Sequence, residues 1–134
     1  MALSMEKVRQ TAPGLVSLYK QAAVSLDKHR LSGERAAVYL VLDRSGSMRE
    51  FYRDGTVQYL AEQILGLAAH FDDDGTVPVV FFSTEVDGVA EVSLADYEGR
   101  INKLNDAYGH MGRTNYAAAM EAVIDHYQRS GATA

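Results

Sequence analysis

Residues 36–48 read Ala36-Ala37-Val38-Tyr39-Leu40-Val41-Leu42-Asp43-Arg44-Ser45-Gly46-Ser47-Met48. The first seven are apolar without alternation. A short run of this kind, rich in strand formers, is expected of a central strand buried on both faces of a parallel sheet. A polar turn follows directly. In extended chain alternate side chains point the same way, so Asp43, Ser45 and Ser47 direct three oxygen groups toward one point above the carboxyl edge of the sheet. Open α/β sheets take their ligands at that edge. Gly46 lets the backbone bend sharply between the two serines.

The rest of the chain supplies the elements such a sheet needs. Upstream, residues 1–30 read as one helix, with Leu15, Leu18, Ala22 and Leu26 at helical spacing, Thr11 as N-cap, Pro13 in the first turn, and Ser32-Gly33 as the stop. Downstream, a helix from about Val57 to His70 sets Leu60, Ile64, Leu65 and Leu67 on its apolar side. Phe71-Asp72-Asp73-Asp74-Gly75 is a polar turn, and Val77–Phe82 a second apolar strand with Pro78 near its start. The link 83–88 is too short for a helical crossover, and 89–94 alternates, so a hairpin with an antiparallel edge strand is expected. A short helix over 96–104, a glycine-containing loop over 105–113 and a helix over 116–129, with Ala119, Val123 and Tyr127 inward, complete the chain. The order is that of the first half of a Rossmann-like α/β sheet, mostly parallel with one antiparallel edge strand. A returning strand should follow the last helix, so the chain reads as C-terminally truncated. Its exposed strand edge would favour a homo-oligomer or a second chain completing the sheet. The expected division is an N-terminal helical extension over 1–33 and the α/β domain over 34–134.

Composition narrows the function classes. The 134 residues include 13 Lys and Arg against 18 Asp and Glu, a formal net charge of -5, which disfavours a general nucleic-acid binder. The absence of Cys removes disulfides, thiolate zinc sites and Cys nucleophiles, and fits a cytoplasmic location. No apolar run approaches bilayer-spanning length, so no membrane partner is expected.

Oxygen-only ligands suit a hard cation, Mg²⁺ first, with Mn²⁺ or Ca²⁺ as the other candidates; zinc would recruit His or Cys. With one carboxylate and neutral hydroxyls, a divalent ion keeps residual positive charge and seeks an anionic ligand, naturally an acidic side chain of a protein partner. The plainer readings are a strand end followed by a helix-capping turn, and Thr114 as an N-cap of the last helix. His29, His70, His110 and His126 lack a mutual metal spacing. Asp72, Asp73 and Asp74 lack the pattern of a calcium loop and read as a solvated turn. Arg44, Arg49, Arg53 and Arg113 are candidates for a basic rim around the metal face.

Leu40–Met48 resembles the D-x-S-x-S metal-ion-dependent adhesion site of von Willebrand factor A (VWA) domains. His110-Met111-Gly112-Arg113-Thr114-Asn115-Tyr116 is similar to the second element of that site, a Thr in a Gly-rich loop before a helix, with Thr114 in the ligand position. The similarity is closest to bacterial VWA proteins of the tellurium-resistance, TerF-like type. The resemblance implies Ser45 and Ser47 as direct metal ligands, Thr114 as a state-dependent ligand, and Asp43 as the charge-bearing anchor acting through water. It implies a metal-dependent protein-interaction module, not an enzyme, in a bacterial stress or tellurium-resistance system. The third family element, an Asp after the next strand, has no counterpart in this chain. Two other readings are an aspartate-based phosphatase with Asp43 as nucleophile, although Ser45 stands where that chemistry wants a second Asp, and a VWA remnant that binds no metal.

Overall fold

The computed structural model describes residues 3–71, 74–109 and 112–131. Six helices and three strands lie among them: α1 (Met5–Thr11), α2 (Val16–Lys28), β1 (Leu40–Asp43), α3 (Arg49–Arg53), α4 (Thr56–Ala68), β2 (Thr76–Phe82), β3 (Val86–Ser93), α5 (Arg100–Tyr108) and α6 (Tyr116–Ser130). The sheet order is β1-β2-β3. β1 runs parallel to β2, and β3 returns antiparallel as the expected hairpin. The fold is therefore α/β as read, but its sheet is evenly mixed, one parallel pair and one antiparallel, where a mostly parallel sheet was expected. Among the described residues β2 takes the central place and β1 an edge.

β1 is also shorter than the apolar run that announces it. Its register sets Leu40 beside Val79. Continued backwards, the same register brings Tyr39 to Pro78, whose nitrogen carries no hydrogen, and the ladder stops there. β2 is buried along most of its length, with Val77, Val79, Val80, Phe81 and Phe82 all inside. Its two faces meet different partners. Val79 and Phe81 belong to a large apolar cluster with Val57, Ala61 and Leu65 of α4, while Val80 and Phe82 pack with Ala119 of α6. Leu60, expected on the inner side of α4, is 40% exposed.

The N-terminal segment forms two helices rather than one. Ala12 takes φ -142°, ψ 71°, outside the helical region, because a residue before proline is pushed away from it. Ser4, not Thr11, caps the first helix: its side-chain oxygen accepts from the Lys7 N–H at 3.2 Å. Val8, Ala12, Leu15 and Tyr19 join the same cluster as the sheet. Tyr19 stacks on His70, which reaches back to the Tyr19 carbonyl at 2.9 Å, and the Tyr19 hydroxyl donates to the Leu3 carbonyl. These contacts fasten the pair of helices onto α4 and the turn after it. The expected polar turn at 71–75 is described except for Asp72 and Asp73, which lie outside the described residues.

Candidate metal centre

The centre sits where β1 ends. Arg44 N–H still bonds the Phe82 carbonyl (2.7 Å), so the chain leaves the sheet one residue after Asp43. The Asp43 carboxylate then folds back over the turn and accepts from the Ser45 N–H at 2.7 Å through Oδ1. Oδ2 has no hydrogen-bond partner among the described residues. Gly46–Met48 form a single 3₁₀ turn, closed by the Met48 N–H on the Ser45 carbonyl. This turn brings the Ser45 and Ser47 hydroxyls within 3.2 Å of each other. Tyr52 of α3 donates its hydroxyl to the Asp43 carbonyl at 2.9 Å; burial pushes its pKa up, so it stays a neutral donor.

The Thr114 loop is strapped to this turn from the side. Gly112 forms a parallel bridge with Ser45, and its carbonyl accepts from the Gly46 N–H at 3.2 Å. A Cβ on Gly112 would stand 2.7 Å from Thr84 Oγ1, so only glycine allows this approach. Thr84 holds the segment on both sides, accepting from the Arg113 N–H through its hydroxyl and from the Asn115 side-chain amide through its carbonyl. Asn115 caps α6, its side-chain oxygen accepting from the Ala118 N–H. Thr114 is thereby relieved of the capping role, and its hydroxyl is exposed and without a partner among the described residues. The structure thus gathers Asp43, Ser45 and Ser47 in one turn and places the Thr114 segment against it. His110 and Met111 lie outside the described residues.

Arg44 departs from expectation. It lies not on the rim but wholly buried, with no exposed surface. The alternation that sets Asp43 and Ser45 on one side of the chain sets Arg44 on the other; Asp43 is half-buried and Ser45 buried. Its guanidinium pairs with Asp87 at 2.7 Å, donates to Asn105 Oδ1 (2.8 Å) and the Gly109 carbonyl (2.8 Å), and lies over the Tyr108 ring at 5.7 Å. Asp87 reaches it from a bulge: Phe81 pairs with Gly88 and Phe82 with Val86, leaving Asp87 as the extra residue. Ser83 donates to the same carboxylate at 2.8 Å. Gly88 leaves space for Tyr108, whose ring carbon would stand 2.3 Å from a Cβ there. None of Asp87, Asn105 or Thr84 was singled out in the sequence. The bulge and the loop packing that bring them here leave no periodic signal.

Can these residues hold a cation? An octahedral Mg²⁺ with oxygens at about 2.1 Å sets neighbouring ligand atoms about 3 Å apart. The serine hydroxyl pair has that separation. Among the described residues no trio of His, Asp or Glu gathers as a metal group, so the donors here are hydroxyls around a single carboxylate, a set that suits a hard cation keeping several waters.

A model of the VWA domain found at the TerF C terminus matches residues 35–134. The chain belongs to this vWA-TerF-like family. This VWA domain is also similar to the "Uncharacterized protein YcbR" of Bacillus subtilis (strain 168), with 36% identity over 111 residues, 81% of the chain and 46% of the relative. The chain thus spans a little under half the length of the relative it matches. No solved structure matches it. No helix among the described residues is long and apolar enough to cross a membrane.

Proposed function

We propose that this VWA domain is a metal-dependent protein-interaction module. Ser45 and Ser47 hold a divalent cation directly, Mg²⁺ or else Mn²⁺ or Ca²⁺. Asp43 offers Oδ2 to the ion or to a water on it, and Thr114 stands beside as a further hydroxyl. One carboxylate leaves a divalent ion with net positive charge, and an acidic group of a partner protein neutralises it. The observation that carries the reading is the serine pair at 3.2 Å with the Asp43 carboxylate folded over the same turn. The domain acts by binding and not by turnover, in the cytoplasm of a bacterium, within a tellurium-resistance or stress-response system. Family membership supports that setting. The same reading includes a further strand pairing along β1, whose outer edge carries none among the described residues. Analytical ultracentrifugation shows whether a second copy supplies it.

The test is calorimetric titration of Mg²⁺ and Mn²⁺ into the wild type and Ser45→Ala. The expected result is a saturable heat that the substitution abolishes. No heat in the wild type, or equal heats in both, would contradict the assignment.

A further inference from the structure

The corner between β2 and β3 bonds to both halves of the proposed metal centre. Ser83 is buried there; its N–H bonds the Glu85 carbonyl at 2.8 Å, and its hydroxyl reaches both oxygens of the Asp87 carboxylate, at 3.0 and 2.8 Å. Asp87 in turn pairs with Arg44, the residue between Asp43 and Ser45. One end of the corner is thus anchored to the serine turn. Thr84, the next residue, is exposed and bonds the other half. Its hydroxyl accepts from the Arg113 N–H at 3.0 Å, and its carbonyl accepts from the Asn115 side-chain amide at 3.2 Å. Thr114 lies between those two residues, so a single corner residue brackets it on both sides. The Gly112 carbonyl, at the head of the same segment, takes the Gly46 N–H at 3.2 Å and closes the frame.

The two bonds of Thr84 differ in what they ask of the sequence. A carbonyl is common to every residue; the second acceptor belongs to the side chain. At an exposed corner that side chain fills no core. What its bond fixes is the backbone next to Thr114. Such fixing matters more to one cation than to another. Mg²⁺ demands near-ideal octahedral oxygens at about 2.1 Å, whereas Ca²⁺ accepts about six to eight oxygens at about 2.3–2.6 Å in flexible arrangements. A hydroxyl on a segment held at both sides suits the first ion; a looser segment still serves the second.

We infer that Thr84 is a positioning residue that sets cation selectivity: through its hydroxyl it fixes the Thr114 segment against the serine turn and so favours Mg²⁺ over Ca²⁺. It acts through Thr114 and is not itself a ligand. The inference rests on the proposed function above and names the residue that decides which cation that site takes.

The experiment titrates Mg²⁺ and Ca²⁺ separately into the full chain and into its Thr84→Ala, Thr84→Ser and Ser45→Ala variants by calorimetry. It also follows amide hydrogen exchange at Gly46 and Arg113 without metal. Thr84→Ala removes the hydroxyl from an exposed position and keeps the carbonyl, so the Asn115 bond and the fold remain. The expected result for this variant is an Mg²⁺ affinity lowered about fivefold, the worth of one hydrogen bond, and a Ca²⁺ affinity lowered by less than about twofold. Exchange at Gly46 and Arg113 becomes faster. Thr84→Ser restores both affinities and the exchange rates, which assigns the effect to the hydroxyl. Ser45→Ala abolishes both heats. Equal losses for the two cations, no loss at all, unchanged exchange at Gly46, or a Thr84→Ser that behaves as Thr84→Ala overturns the inference; with the heats still lost in Ser45→Ala, the metal reading stands. A wild type that takes neither cation overturns the metal reading and the selectivity with it.

Discussion

Consecutive residues of one turn, Arg44 and its neighbours Asp43 and Ser45, end in opposite situations. Below the turn, Arg44 is buried and held by Asp87, Asn105 and the Gly109 carbonyl. Above it, among the described residues, Asp43 keeps one carboxylate oxygen without a hydrogen bond, the Thr114 hydroxyl has no partner, and the two serine hydroxyls bond only each other. Both clusters are polar, and both come from the alternation of a strand leaving a sheet. What separates them is whether the hydrogen-bonding capacity is filled. A filled buried network fixes structure; unfilled capacity at an exposed sheet edge is where a ligand is taken. The lower cluster ties β1, β3 and the loop before α6 together, and so sets the position of the upper one.

The largest expected effect tests the lower cluster. Arg44→Ala leaves Asp87 without its charged partner and should cost about 3–5 kcal/mol in urea unfolding, as breaking buried pairs does. A cost near zero would mean that the network contributes no cohesion. Gly88→Ala pushes a methyl into the Tyr108 ring and is expected to lose about 1–3 kcal/mol by overpacking, read as a lowered midpoint. On the upper side the balance reverses. Ser45 is buried, but Ser45→Ala removes only its hydroxyl contact to Ser47, so stability should move by no more than about 1 kcal/mol while cation binding disappears. A large loss of stability would instead make Ser45 a structural residue. The smallest effect lies away from both clusters. The hydroxyl and amide of Thr56 bond the exposed Asp54 carboxylate and lower its pKa below the usual 3.8. A lowered folded pKa adds stability above the unfolded value, and that stability is lost as pH falls through the folded one. Thr56→Val should therefore raise the Asp54 titration midpoint seen by NMR and soften the acid sensitivity slightly.

The contrast also explains what was legible in the sequence. The apolar runs before Asp43 and over Val77–Phe82, the hairpin after Phe82, and α4 and α6 were readable, because each has a period or a composition that a packed sheet requires. The D-x-S-x-S spacing marked the upper cluster for the same reason. The break at Ala12 was written in Pro13 but outweighed by the helical spacing around it. The short α3 has too few residues to show a period, and α5 begins at Arg100 and runs to Tyr108, later than the expected 96–104. Arg44 was misplaced because its charge argues for solvent, while its burial depends on Asp87, a residue delivered by a bulge that no pattern in the strand announces. Asn115, rather than Thr114, caps the last helix, a choice that one residue of register decides.

The central claim is that a cation sits on the Ser45–Ser47 turn. Titration of the full chain with Mn²⁺, followed by paramagnetic broadening of backbone amide signals, tests it most directly. The account predicts saturable broadening centred on Ser45, Ser47 and Thr114, displaced by Mg²⁺ and abolished by Ser45→Ala with Ser47→Ala. Broadening that leaves these residues sharp, or centres on another surface and survives the double substitution, would contradict it.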